Sequence, residues 1–329
     1  MPLISLYNFL NESQKLEYMW LWERNSLEEK IAQKYNIDFH EVAAGKIRRY
    51  FDIRNFYEPL KNLTGIFQAL YYIVRYKGDI IFSKWGFVSV PVCIAAWILR
   101  KKIYIHESDS VMGLSNMIAS KFATKVFYSF PITDWKSKKH IHTGHILNWE
   151  LIDHVNSLSK EENERLCIIV IAGSQGSQKI FESILSFLPD CQDIDFEIVL
   201  WTNKDSELKK NLEAFENVHC HGFLTPKELS WLYQKADIAI TRWSSTLWEL
   251  FYFWIHSIII PLPQSGRNHQ YHNAQYFHES YGFDILDEEK HLHLELFRKI
   301  QSYKEFRKRD LNLEWFFDGV KNIEGEIGL

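Results

Sequence analysis

The chain carries the stretch Ile168-Ile169-Val170-Ile171-Ala172-Gly173-Ser174-Gln175-Gly176-Ser177, in which an apolar run is followed at once by a turn of small residues. The apolar run predicts a buried strand, and the turn predicts the start of a helix. Backbone N–H groups at the start of a helix attract anions, and phosphate is the natural ligand of such a turn. Gly173, Ser174, Gln175 and Gly176 are therefore candidate phosphate-binding residues. The alternative is an ordinary strand-to-helix turn with a serine N-cap.

Similar β-rich runs alternate with longer segments of helical period along the whole chain. Together with 166–172, the predicted strands are 17–22, 79–83, 102–106, 125–129, 196–201, 237–241 and 257–262. This alternation predicts an α/β fold with doubly wound parallel sheets that are covered by helices on both faces. A length of 329 residues and a polar stretch at 157–165 predict two domains, 1–147 and 148–329, with the last helix a candidate to return to the first domain.

The composition is that of a folded chain with no general affinity for nucleic acid. Apolar residues make up 46% of the chain and charged residues 24%, which is typical of a protein with a hydrophobic core. The 38 Lys and Arg against 42 Asp and Glu give a net charge of −4, so no basic excess favours DNA or RNA as a partner. The longest apolar run, 86–99, is shorter than the roughly twenty residues that a spanning helix needs, and no signal peptide is recognisable. We therefore predict a cytoplasmic protein without a transmembrane helix.

No metal site is predicted. The four cysteines are isolated, without the paired spacing that holds zinc or the density of a disulfide framework, which fits a reducing compartment. Three histidine pairs lack both the HExxH form and acidic partners at ligand spacing. These pairs are His140/His142, His219/His221 and His291/His293.

Polar residues with a capacity to bind a nucleotide sugar follow the predicted strands of the second half. Arg242 stands at the end of one strand, and Glu249 lies one to two turns into the next helix. Ligands of open α/β sheets bind at this edge, where a carboxylate can accept both hydroxyls of a ribose. Gln270 and Asn273 lie three residues apart at another helix start, so both amides can face one sugar. The alternatives are a solvated glutamate and amides that serve in helix capping.

A second polar cluster follows two strands of the first half. The segments 83–89 and 106–116 each end a predicted strand, so both reach the same edge of the sheet. In this cluster His106, the two carboxylates of Glu107 and Asp109, and Asn116 can bind a polyhydroxy substrate or move a proton. The alternative for His106 is a core histidine at a strand end.

The chain opens on a predicted helix, with Pro2 at its preferred early position. A doubly wound domain normally begins with a strand that feeds such a helix through a phosphate-facing turn. Because that strand and turn are absent before Pro2, we expect an unpaired edge or a gap in the first sheet.

In combination, these motifs resemble the MurG family of bacterial UDP-N-acetylglucosamine transferases, from residue 2 to about residue 280. The matching pieces, in the family's order, are 85–89, 106–116, 173–176, 242–249 and 270–273. The resemblance implies the GT-B fold, in which two Rossmann-like domains face a cleft. The family's N-terminal strand, its glycine-rich loop and a proposed catalytic histidine have no counterpart in this sequence, and its diphosphate-facing arginine is missing from 144–148. Phe87 and Ser108-Asp109 replace the family's Tyr and Gln-Asn.

The resemblance implies an inverting, metal-independent transfer of N-acetylglucosamine from UDP-N-acetylglucosamine to the 4-hydroxyl of N-acetylmuramic acid in lipid I, which forms lipid II for peptidoglycan. It implies no cofactor besides the donor substrate, and other cell-wall synthesis proteins as partners. Since the family's histidine is unmatched, His106 and Asp109 are the candidates for the base. The resemblance also implies contacts with the donor. Residues 173–177 bind the diphosphate, Glu249 binds the ribose, Arg242 and Thr246 line the nucleotide site, and Gln270 and Asn273 contact the transferred sugar. Asn116 is the implied contact with the acceptor.

An acceptor in a bilayer requires a surface that reaches the membrane. From Lys46 to Lys77 there are seven Lys or Arg and two acids, a local charge of +5, together with eight aromatic residues. Arg48, Arg49 and Arg54 belong to this segment. Such a mixture suits an anionic membrane surface and predicts a peripheral protein on the inner face of the plasma membrane. The alternative is ordinary amphipathic packing with solvated cations.

Two other functions stay open at this point. One is a GT-B transferase that moves a UDP-sugar to a different acceptor. The other is a non-catalytic UDP-sugar-binding protein that has lost the N-terminal loop. The nucleotide sequence upstream of Met1 would discriminate between a complete enzyme and the second alternative.

Overall fold

The computed structural model describes residues 2–13, 16–46, 58–84, 86–131, 137–155, 164–172, 178–200, 207–242, 244–263, 268–304 and 318–328. The predicted phosphate turn 173–177 lies outside these ranges, as do Trp85, Arg48, Arg49 and Arg54. The chain forms two compact units, one from residues 6–146 and 317–329 and the other from 1–5 and 147–316.

The N-terminal half contains two separate parallel sheets. Its elements are α1 (Pro2–Ser13), β1 (Met19–Trp22), α2 (Leu27–Lys34), β2 (Asp38–Glu41), α3 (Glu58–Arg75), β3 (Ile80–Ser83), α4 (Ser89–Ile98), β4 (Lys102–Glu107), α5 (Leu114–Ala119), β5 (Lys125–Tyr128) and β6 (His140–His142). Strands β3 to β6 form one sheet in chain order, and β1 pairs only with β2. Within the described ranges no strand connects the two sheets.

The C-terminal half contains one parallel sheet of six strands. Its elements are α6 (Trp149–Val155), β7 (Leu166–Ile171), α7 (Gln178–Phe187), β8 (Ile194–Val199), α8 (Glu207–Leu212), β9 (Val218–His221), α9 (Pro226–Lys235), β10 (Ile238–Thr241), α10 (Ser244–Tyr252), β11 (His256–Ile259), α11 (His269–Tyr281), β12 (Asp284–Ile285) and α12 (Leu292–Ser302). The last helix, α13 (Gly319–Ile327), belongs to the unit that contains residues 6–146. The strand order is β12-β11-β10-β7-β8-β9, and every pairing is parallel. The predicted α/β class is confirmed.

Both faces of each larger sheet are covered by other elements. Successive side chains of a strand point to opposite faces, so neighbouring residues of one strand pack in different clusters. On β4, Ile103 belongs to the hydrophobic cluster that includes α4 residues, whereas the next residue, Tyr104, packs in a cluster with residues of α1 and α13. On β7, Ile168 and Ile169 are divided in the same way between two clusters. All six residues of β7 are buried, as the continuous apolar run predicts.

Each predicted strand overlaps an observed one, and four observed strands were not predicted. These four, β2, β6, β9 and β12, are only two to four residues long, and each includes polar or charged residues. Each lies at an edge of its sheet, so it has one strand neighbour in the described ranges. A short edge strand needs no apolar run, which is why the pattern does not reveal it.

Candidate active site

The order of the strands reverses between β7 and β10 in the C-terminal unit. From β7 the chain proceeds outward through β8 and β9, and it then returns to the other side of β7 as β10. Ligands of open α/β sheets bind in the crevice at such a reversal, outside the carboxyl ends of the strands. Ile171 and Thr241 are paired at these two ends, and the Thr241 hydroxyl donates to the Ile171 carbonyl at 2.8 Å. The strand that precedes the predicted phosphate turn therefore ends beside the strand that precedes Arg242.

Arg242 is held in a buried ion pair. Its side chain is 1% exposed, and its Nη2 lies 2.7 Å from Oε1 of Glu288, which is also buried. The pair connects the end of β10 to the segment after β12, 46 residues further along the chain. No local pattern in the sequence indicates Glu288, because its partner is distant in the chain. Direct contact of Arg242 with a nucleotide stays a prediction.

Glu249 lies on α10, the helix that follows β10. Thr246 is three residues earlier on the same helix, so both side chains occupy one face, and both are partly exposed. The hydroxyl of Tyr233, on α9, donates to Oε2 of Glu249 at 3.0 Å. Tyr233 is not among the predicted site residues, because its apolar neighbours on α9 are typical of a core aromatic residue.

Gln270 and Asn273 lie in the first turns of α11 and are both buried. The Leu262 N–H donates to Oε1 of Gln270 at 2.8 Å, which ties the segment after β11 to the helix. Asn268 precedes the helix with a φ of 54° and makes no capping bond through its side chain, so the capping alternative is not realised there. Contact of either amide with a sugar stays a prediction.

Glu107 ends β4 and organises the loop that follows. The N–H groups of Asp109 and Gly113 donate to its two carboxylate oxygens at 3.0 Å each, and Nδ2 of Asn116 donates at 2.9 Å. The same Nδ2 donates to the Lys84 carbonyl at 3.2 Å, which connects the loop to the end of β3. Burial raises the pKa of Glu107, and these hydrogen bonds oppose the shift. Asp109 and Asn116 thus meet at one edge around the carboxylate of Glu107, which belongs to the same predicted polar cluster.

His106 belongs to a buried group at the same end of the sheet. Its Nε2 lies 3.2 Å from the Gly144 carbonyl oxygen, and the Ser129 hydroxyl lies 2.9 Å from Nδ1 of His145. Burial lowers the pKa of His106 to about 3 and that of His145 well below its usual value, so both rings are neutral at pH 7. A role for His106 in proton transfer stays a prediction. Asp109 is partly exposed, whereas His106 is buried. Because a base must reach the substrate hydroxyl, Asp109 is the better candidate for that step.

The long helix α3 exposes a row of apolar side chains. The row, here called the α3 stripe, lies on one face because its members are three or four residues apart. Ala69 and Ile73, on the opposite face of α3, are buried. Basic residues of the same segment, Lys61, Arg75 and Lys77, are exposed. The α3 stripe consists of Leu60, Leu63, Phe67, Tyr71 and Val74, which are 65%, 50%, 64%, 62% and 62% exposed.

The described ranges contain neither a metal cluster nor a membrane-spanning helix. No group of three or more His, Cys, Asp or Glu side chains there is arranged to hold a metal ion. His140 instead contacts the Tyr128 hydroxyl at 2.8 Å, and His221 contacts Glu197 at 2.5 Å. No helix within those ranges has both the length and the apolar character needed to cross a bilayer.

The sequence matches two family models and many curated proteins. Residues 1–128 match the glycosyltransferase family 28 N-terminal domain, and residues 167–313 match the family 28 C-terminal domain. A UDP-N-acetylglucosamine–N-acetylmuramyl-(pentapeptide) pyrophosphoryl-undecaprenol N-acetylglucosamine transferase from Clostridium perfringens is 33% identical over 325 residues, which cover 93% of this chain and 88% of the relative. The protein of the same name from Clostridium botulinum is 33% identical over 329 residues, which cover 95% and 91%.

Solved structures agree with this assignment at the level of the fold. The crystal structure of Acinetobacter baumannii MurG matches with a TM-score of 0.75 at 19% identity, over 99% of this chain and 95% of that one. A UDP-GlcNAc 2-epimerase from Neisseria meningitidis matches with a TM-score of 0.63 at 12% identity, over 98% and 94%. The GT-B fold that the resemblance implies is therefore confirmed. The chain belongs to glycosyltransferase family 28 and, within it, to the MurG family of N-acetylglucosamine transferases.

Proposed function

We propose that this protein transfers N-acetylglucosamine from UDP-N-acetylglucosamine to the 4-hydroxyl of N-acetylmuramic acid in lipid I, with inversion and without a metal ion. The main support for the proposal is the carboxylate of Glu249, which lies on α10, the helix that follows the reversal of strand order. The buried Tyr233, on the preceding helix α9, holds this carboxylate by a hydrogen bond. The names of the curated relatives support the same donor and the same lipid-linked acceptor.

The donor half of the reaction rests on the C-terminal unit. Glu249 accepts the ribose hydroxyls, and Gln270 and Asn273 contact the sugar. Residues 173–177, the predicted turn outside the described ranges, are the proposed binding site for the diphosphate. When the bond from the anomeric carbon to UDP breaks, negative charge grows on the departing diphosphate. Backbone N–H groups at the start of the helix after that turn stabilise this charge electrostatically, in the place of a metal ion.

The acceptor half rests on the N-terminal unit. The 4-hydroxyl oxygen attacks the anomeric carbon, a new glycosidic bond forms, and the hydroxyl proton passes to a base. We assign this proton to the Asp109 carboxylate, whose loop is held by Glu107, and we keep His106 as the second candidate. Asn116 supports the loop and contacts the acceptor.

A transfer assay with labelled UDP-N-acetylglucosamine and a lipid I analogue tests the proposed reaction. We expect one UDP released for each sugar transferred, and no loss of rate when EDTA is added. An analogue without the 4-hydroxyl should accept no sugar. UDP release without any glycosylated product, or transfer to the analogue that lacks the 4-hydroxyl, would contradict the proposal.

Two substitutions should separate the roles of Glu249 and Gln270. Glu249→Ala is expected to weaken UDP binding by about 1.5–3 kcal/mol, or about ten- to a hundredfold, because a charged acceptor of the ribose hydroxyls is lost. Gln270→Ala should instead reduce the affinity for UDP-N-acetylglucosamine more than that for UDP. Isothermal calorimetry with both ligands measures the difference.

Exposed residues of α11 provide matched controls for this experiment. Glu279 and Gln275 are hydrogen-bonded to each other at 2.8 Å near the surface. Glu279→Ala and Gln275→Ala remove the same chemical groups and should leave both affinities unchanged. An equal loss of UDP affinity in Glu249→Ala and Gln270→Ala would refute the assigned roles.

The α3 stripe supports the proposal that the protein lies on the cytoplasmic face of the membrane. Monomeric proteins rarely expose a continuous row of large apolar side chains, and such rows usually mark a membrane or protein contact. Cations on the same segment add attraction to anionic lipids. The outward direction of the stripe favours this interpretation over internal amphipathic packing.

Removing the apolar character of the stripe should weaken membrane binding. We expect Leu63, Phe67 and Val74 changed together to serine to lower the affinity for vesicles of anionic phospholipid at least about tenfold, since three side chains no longer enter the bilayer. Sedimentation with vesicles at increasing salt should also reveal a loss of binding as the cations are screened. Leu27→Ser, which changes a leucine on α2 that is 69% exposed, is the control. Binding that is indifferent to the triple change would contradict the proposal.

A further inference from the structure

We infer that Tyr233 is a positioning residue for nucleotide recognition, because its buried hydroxyl holds the Glu249 carboxylate in the orientation that accepts the ribose hydroxyls. The inference rests on the proposed function, in which Glu249 contacts the ribose. Tyr233 belongs to α9 and Glu249 to α10, so the contact joins the helices on either side of β10 in the chain.

The surroundings of Tyr233 are apolar except at its hydroxyl. The side chain is 1% exposed and packs in a cluster with Leu151, Ile169 and Leu250, and its ring centroid lies 5.0 Å from that of Phe253. A phenylalanine would fill the same space without bringing a polar atom into the core. A buried hydroxyl is unfavourable unless it is hydrogen-bonded, and this one donates to Oε2 of Glu249 at 3.0 Å.

The hydroxyl can act only as a donor toward the carboxylate. Burial, and then the charge of Glu249, raise the pKa of Tyr233 well above its usual value, so the phenol stays protonated at neutral pH. A hydrogen bond to an ionised oxygen is stronger than one between neutral groups. The Tyr233 hydroxyl already donates to Glu249 and its ring is packed among apolar side chains, so Tyr233 acts through Glu249.

A carboxylate fixed before binding should recognise the ribose better than a mobile one. Glu249 is partly exposed, and its long side chain would otherwise sample several rotamers. Ordering such a side chain when the ligand arrives costs affinity, and a contact already present in the free protein removes part of that cost. The benefit appears only for ligands that carry the hydroxyls.

The test compares UDP with 2′-deoxy-UDP on the full chain by calorimetry. We expect the unmodified protein to prefer UDP about tenfold, and Tyr233→Phe to reduce that preference to about two- to threefold. In the Glu249→Gln background, Tyr233→Phe should reduce the preference no further. The ratio of the two affinities is independent of the fraction of folded protein, since partial unfolding weakens both ligands equally.

Tyr303→Phe is the matched control, since it also removes a tyrosine hydroxyl that donates to a carboxylate, that of Asp284 on the edge strand β12. It should keep the full preference for UDP. If Tyr233→Phe also keeps that preference, the positioning role is overturned and the ribose role of Glu249 stands. If the unmodified protein does not distinguish the two nucleotides, the ribose role itself fails, and the inference fails with it.

Discussion

Glu288→Ala is expected to lower the free energy of unfolding by about 3–5 kcal/mol, because the buried Arg242 guanidinium loses the carboxylate that neutralises it. The two side chains are 1% and 5% exposed, so water cannot replace the missing oxygen atoms. Urea denaturation measures the change. Because the pair fixes the chain where β10 leads into α10, UDP affinity should fall as well.

Two further variants distinguish loss of this pair from a general effect of substitution. Replacing Arg242 with Met and Glu288 with Leu together should recover most of the stability, since well-packed apolar residues often replace a buried ion pair without loss. Lys290→Ala removes one partner of an exposed pair, in which Lys290 is 80% exposed, and should change stability by less than about 1 kcal/mol. A Glu288→Ala protein within about 1 kcal/mol of the unmodified one would contradict the argument.

Asp109→Asn is expected to lower the rate of sugar transfer by about 10²–10⁴-fold, because the amide cannot accept the proton of the attacking hydroxyl. UDP affinity and thermal stability should stay unchanged, since the side chain is partly exposed and the proposed nucleotide contacts lie in the C-terminal unit. Steady-state kinetics with a lipid I analogue measures the loss.

Glu107→Ala should differ from Asp109→Asn in one respect. It also lowers the transfer rate, since the loop that carries Asp109 loses three hydrogen bonds, but it lowers the melting temperature too. Asp79→Asn, which changes an exposed carboxylate of the same unit, is the control. If Asp109→Asn transfers at the unmodified rate, Asp109 is not the base, and His106 becomes the residue to replace.

The sequence was most informative where the pattern is local. The apolar run before Gly173 predicted β7, and the alternation of strand and helix patterns predicted the two larger parallel sheets, but not the separate sheet of β1 and β2. The ordered motifs indicated the family, which the curated relatives confirm. The short edge strands escaped prediction because they are only two to four residues long and include polar or charged side chains, so no apolar run marks them.

The contacts that position the individual site residues could not be predicted from the sequence. The sequence singled out Arg242 and Glu249, but it did not indicate the groups that hold them. Glu288 pairs with Arg242 across 46 residues, and Tyr233 reaches Glu249 from another helix. The exposed direction of the α3 stripe was equally hidden, because the same amphipathic pattern fits a helix that faces another part of the protein.

By itself, therefore, the sequence determined the fold class, the approximate positions of the main strands and the family of the protein. Those properties depend on residues within a few positions of each other, whose spacing follows from the repeat of a strand or a helix. Only the tertiary structure decided which polar side chains are paired, which are buried and which face solvent. The physical reason is that a hydrogen bond or an ion pair depends on distance in space, and the crossing of strands and helices brings together residues that are remote in the chain.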